Sequence, residues 1–147
     1  MEELTFRSHG ETCTATHVPA LTPELTRAAG RPCVVMARGV CGTRDPGLLA
    51  HAARFSAEGY DVLLFDYARQ QRRTARRERA ELRAAIDAAR RLPDVDPERI
   101  VLWGASRDAV HVSKVAARDA RVAGAIAIRR PAPADLEGAH RALVSTR

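Results

Sequence analysis

Ser106 is the residue of this chain whose setting best suits chemistry. The apolar run Ile100-Val101-Leu102-Trp103 reads as a buried strand, Gly104-Ala105-Ser106 follows, and a helix then runs to about Ala117. A serine on so tight a strand-to-helix turn has its Oγ lifted above the sheet. The N–H groups that open the following helix point at the same spot. This is the context a nucleophile elbow requires. Gly104 supplies the small residue two positions before the serine, but Asp108 stands where the GxSxG pattern has its second glycine. A plainer reading is open as well. Ser106 could simply N-cap the helix, with Asp108 complementing the helix dipole. The pattern alone does not separate the two. His111, five residues on along the same helix, faces away from the serine and reads as a packing residue.

The elements that must position Ser106 are legible around it. Leu4 to Arg7 and Cys13 to Val18 alternate apolar and polar residues about Gly10, which predicts an N-terminal antiparallel hairpin. Residues 19–32 read as loop, with a short helical turn over 21–27. Cys33-Val34-Val35-Met36-Ala37 is a continuous apolar run, as expected of a strand covered on both faces. A Gly-containing loop follows, and then a helix with Asp45 as N-cap and Pro46 at its first position. That helix runs to about Ala57 and ends at Gly59. Val62-Leu63-Leu64-Phe65 is a second buried strand. Residues 74–92 form a helix with Leu82, Ile86 and Ala89 on one face, and Pro93 stops it. After the Ser106 helix, residues 122–128 make a fourth strand. Buried strands alternating with amphipathic helices predict βαβ units and an α/β fold, a three-layer sandwich with a mostly parallel sheet and the hairpin at its edge. All 147 residues fit one such domain. A last helix is expected over 134–144.

Composition sets the remaining bounds. Aromatic residues make up only 4% of the chain, so the core is built from aliphatic residues and alanine. The net charge of +6 is carried almost wholly by arginine, since Lys114 is the sole lysine. Such a balance can signal an anionic partner, but the arginines are not interleaved with stacking aromatics. Residues 69–91 hold nine arginines against Glu78, Glu81 and Asp87. A solvated outer helix with Glu/Arg pairs accounts for them better than a nucleic-acid contact does. Cys13, Cys33 and Cys41 are odd in number and lack CxxC spacing, which argues against a disulfide framework or a zinc site. Neither a metal nor an organic cofactor is expected. No membrane-length apolar run and no signal peptide is evident, so a cytoplasmic setting is expected.

Three segments together resemble bacterial α/β-hydrolases of the dienelactone hydrolase and prolyl-type peptidase kind. Residues 36–45 look like the oxyanion loop of that family, residues 55–67 like its next strand, and residues 94–106 like the approach to its nucleophile. The resemblance covers nearly all of residues 1–128. It implies a serine hydrolase acting on a small ester or peptide, with Ser106 as nucleophile and the N–H groups of Val40 and Arg107 forming the oxyanion hole. Some features depart from the family pattern. Arg38 stands where the family has histidine, Asp108 and Ala109-Val110 replace a small Gly-rich run, and the stretch from 67 to 82 is shorter and has lost its glycines. The family's acid and histidine belong to loops after later strands. The expectation is therefore a truncated α/β-hydrolase fold that is weak or inactive by itself. Asp135 and His140 could complete a triad from the tail, but nothing in the sequence fixes their geometry, and His140 reads more simply as a solvated helix histidine. The alternative function is a non-catalytic fragment that binds itself or a partner. The strand at 122–128, uncovered on one side, would offer a homo-oligomer edge.

Overall fold

The computed structural model describes residues 1–38, 46–68, 73–128 and 142–146. The hairpin is present as β1 (Glu2–Ser8) and β2 (Glu11–Val18), with His9 and Gly10 turning through positive φ. β3 (Arg31–Arg38), α1 (Pro46–Ala57), β4 (Asp61–Asp66), α2 (Ala75–Arg90), β5 (Val95–Ala105), α3 (Arg107–Ala116), β6 (Val122–Ile128) and β7 (Ala142–Thr146) follow. They form one seven-stranded sheet in the order β1-β2-β4-β3-β5-β6-β7. The four central strands, β4, β3, β5 and β6, are mutually parallel, while β2 and β7 flank them antiparallel.

Period-2 alternation explains the layering. Cys33, Val35 and Ala37 face one side of β3 and join Leu63, Phe65 and Leu102 under α2 and α3. Val34 and Met36 face the other side, where Val62, Leu64 and Trp103 meet Leu48 and Ala52 of α1. Both faces are covered, so the central strands have no polar side, and Val34, Val35, Leu63 and Leu64 are fully buried. The chain steps from β3 outward to β4, then crosses back over β3 to β5. This reversal puts α1 on one face and α2 and α3 on the other. It also creates a switch point between the C-terminal ends of β3 and β5, the place where open α/β sheets bind ligands.

Several expectations need adjusting. Residues 21–27 form turns and not a helix. Pro19, Pro23 and Gly30 interrupt the segment, and it is tied instead by Ser56 Oγ to the Pro19 carbonyl (2.7 Å), Leu21 N–H to the Ser56 carbonyl (2.9 Å) and an Arg27/Gly30 bridge. β5 starts at Val95, five residues before the apolar run, because Val95 pairs with Arg31 ahead of a register shift. α1 has the expected bounds, while its expected cap, Asp45, lies outside the described residues. β6 is not a sheet edge. Gly124 to Ile128 pair with Ala142 to Thr146, which moves the edge to β7. The oligomer contact expected at 122–128 therefore loses its free hydrogen-bonding row. The helix expected over 134–144 ends inside β7, and residues 134–141 lie outside the described residues. Among the described residues no helix is long and apolar enough to cross a membrane.

Candidate active site

Ser106 sits at the C-terminal end of β5, exposed, with φ 55° and ψ −114°. A non-glycine residue in this region costs about 1–3 kcal/mol and persists only where its surroundings over-determine it. Two contacts do so here. The Ser106 N–H donates to the Ile128 carbonyl at 2.8 Å, pinning the turn to the end of β6. Gly104 lets α3 fold back closely, since a Cβ at that position would lie 2.7 Å from the Asp108 carbonyl carbon and oxygen. The serine side chain makes no capping hydrogen bond to α3. The N-cap reading therefore fails, and the backbone has the strained turn that an elbow requires.

Asp108 occupies the second glycine position without blocking the turn, because its side chain runs inward. Its Oδ1 accepts from the Tyr67 hydroxyl at 2.8 Å, just past the end of β4. Burial pushes the Asp108 carboxyl above the usual carboxylate range despite that bond. Burial likewise raises the Tyr67 hydroxyl, so both phenol and partner favour the hydrogen-bonded, uncharged donor. The Arg73 guanidinium lies 4.7 Å from the centre of the Tyr67 ring.

Glu78, 3% exposed, lies beside this pair. Its Oε2 meets His111 Nε2 at 2.7 Å and Arg107 Nη2 at 2.9 Å, and its Oε1 stands 3.1 Å from Arg73 Nε. His111 is thus buried as expected, and its Nε2 lies within hydrogen-bond distance of the Glu78 carboxylate. Glu81, also buried, accepts from the Ala68 N–H at 3.0 Å. The expected picture of a solvated helix with outward Glu/Arg pairs holds only for part of α2. Arg76, Arg77 and Arg83 are exposed, whereas two of the three acids turn inward.

Of the site residues expected from sequence, Ser106 and Arg107 occupy one turn, while Val40, Asp135 and His140 lie outside the described residues. The four described histidines are accounted for elsewhere. His17 Nε2 is 3.0 Å from Asp61, His111 is held by Glu78, His51 lies against the Trp103 ring, and His9 sits in the hairpin turn. Tyr67 and Glu78 escaped the sequence reading. A signal for Glu78 existed: it precedes Leu82, Ala85 and Ala89 by four, seven and eleven residues, which places it on the inward stripe of α2. Among the described residues no group of three or more His, Cys, Asp or Glu is arranged to hold a metal ion.

No family model matches the chain. The quorum-quenching protein AidA of Acinetobacter baumannii is 40% identical over 109 residues, which are 69% of this chain and 36% of that protein. An uncharacterized 31.7 kDa protein from the traX-finO intergenic region of Escherichia coli is 30% identical over 98 residues, 62% of this chain and 34% of its own. The chain spans about a third of the length of these curated relatives. Among solved structures, the alpha/beta hydrolase GrgF of Penicillium sp. sh18 aligns with a TM-score of 0.71 at 26% identity, over 84% of this chain and 44% of that one. Est1E of Butyrivibrio proteoclasticus aligns with a TM-score of 0.71 at 16% identity, over 85% and 49%. The acetyl xylan esterase of Paenibacillus sp. R4 gives 0.68 at 15%, over 84% and 46%. The chain has a partial α/β-hydrolase fold.

Proposed function

We propose that this partial α/β-hydrolase fold carries a serine acyl-transfer site, with Ser106 as nucleophile and the Arg107 and Val40 N–H groups as oxyanion donors. The observation behind the proposal is the backbone of Ser106, strained at φ 55° and ψ −114° with no capping bond to account for it. A strained, exposed serine at the switch point of a parallel sheet, opening a helix that its own side chain does not cap, suits attack on a carbonyl. The substrate class is a small ester or peptide. Likeness to a quorum-quenching protein adds quorum signals that carry an ester carbonyl to the compounds worth assaying.

Turnover needs a base as well as a nucleophile. Asp135 and His140 are this chain's candidates, and without such a pair the serine hydroxyl stays protonated and reacts slowly. An oxyanion hole together with substrate binding still supplies about 10³–10⁴-fold over water. Covalent capture at Ser106 is therefore the first expected behaviour, with turnover depending on whether such a pair reaches it. A cytoplasmic setting suits its free, buried thiols at Cys13 and Cys33. The test is incubation with a fluorophosphonate probe followed by p-nitrophenyl acetate hydrolysis. A probe adduct that disappears in Ser106→Ala supports the reading, and folded protein that takes up no probe overturns it.

A further inference from the structure

We propose that Glu78 is a positioning residue for the Ser106 turn, acting through the side chain of Arg107. The carboxylate gathers groups from three places: Arg73 ahead of α2, Arg107 at the first position of α3, and His111 one turn further on. Two of these contacts, to Arg107 at 2.9 Å and His111 at 2.7 Å, grip the same helix on either side of Asp108. Asp108 is itself held by Tyr67, whose ring carries Arg73, and Arg73 returns to Glu78. The first turn of α3 is thus enclosed in a ring of contacts that begins and ends at Glu78.

The geometry gives this ring a task. Arg107 directly follows the strained serine, so fixing its side chain limits rotation of the Ser106–Arg107 peptide, whose N–H is the proposed oxyanion donor. The Ser106 N–H bond to Ile128 and the close packing at Gly104 hold the same turn from the strand side. Donors must already be aimed when charge develops, because reorganising them during the reaction raises the barrier. The chemical consequence rests on the reading of Ser106 as nucleophile, whereas the restraint on the turn does not.

The test therefore combines two measurements on the full chain carrying Glu78→Gln, Arg107→Gln, or both. Amide exchange followed by NMR is expected to speed up at Ser106 in each variant while the β1, β2 and β4 amides keep their protection. The double variant should go no further than either single one. Fluorophosphonate capture should slow about 10-fold at saturating probe, with the half-saturating concentration unchanged. Unchanged exchange at Ser106, or a uniform rise across the whole sheet, overturns the inference. Should the parent chain take up no probe, the acyl-transfer reading falls while the exchange pattern still decides the role of Glu78. Arg107, with 54% of its side chain exposed, supplies a variant that retains the fold if Glu78→Gln does not.

Discussion

Two buried ionic clusters lie at opposite ends of the parallel strands, and they are satisfied to very different degrees. At the N-terminal end Asp61 opens β4. It accepts from Arg31 Nε and from the Ala20 N–H, each at 2.9 Å, and meets His17 at 3.0 Å. Burial alone would raise its carboxyl, but the His17 and Arg31 contacts outweigh burial and bring it down to about 2. At the C-terminal end Asp108 and Glu81 are pushed the other way, with burial the larger influence on both. There Glu78 Oε1 and Arg73 Nε meet at 3.1 Å as an ion pair without hydrogen-bond geometry, His111 Nδ1 is buried without a hydrogen-bond partner among the described residues, and Ser106 is strained. One end of the sheet is well paired, and the other carries strain and buried charge. Violations of local rules concentrate at functional sites, which is in keeping with the site proposed around Ser106.

Substitutions should separate the two ends by sign as well as size. The largest effect is expected for Asp61→Ala, which leaves Arg31 and His17 facing a buried gap. A loss of about 3 kcal/mol in urea unfolding is expected, at the lower end for a broken buried pair because Arg31 is partly exposed. The pH dependence follows from the lowered carboxyl. Its contribution is present above the ordinary carboxylate value of 3.8 and is lost as pH falls through about 2, so the wild-type curve should drop more steeply in that window than the Asp61→Ala curve, which keeps the lowered Asp119.

At the other end, Ser106→Gly should be more stable than Ser106→Ala by about 1 kcal/mol, since glycine accepts the positive φ that alanine does not. Equal stabilities would mean that the turn is not strained in solution. A smaller gain, about 0.5–1 kcal/mol at neutral pH, is expected for Asp108→Asn, which keeps an acceptor for Tyr67 and removes a buried charge. Asp108 is destabilising at pH values above its raised folded pKa. That cost fades as pH falls toward the ordinary carboxylate range, so the advantage of Asn should vanish in acid.

Much of this fold is legible in the sequence because burial on both faces of a strand, and on one face of a helix, leaves a simple pattern. β3, β4 and β6 follow from continuous apolar runs, and α1 and α2 from their stops at Gly59 and Pro93. β7 and the start of β5 carry no such signal, since their pairing is decided by neighbouring strands rather than by their own composition. At the site, Gly104 and Ser106 point to a turn, but sequence cannot distinguish a cap from an elbow; that distinction lies in one backbone dihedral pair. Glu78 is a different case: its spacing to Leu82, Ala85 and Ala89 marks the inward stripe of α2, but a charged residue in an arginine-rich helix reads as surface until the contact between α2 and α3 shows what it holds.

The central claim is that the fold itself makes Ser106 reactive. It is tested most directly by fluorophosphonate capture with the native chain and the urea-unfolded chain side by side, the adduct being located by peptide mass spectrometry. The account predicts an adduct on Ser106 in the native chain alone. Equal capture in both states, or an adduct on another residue, would contradict it.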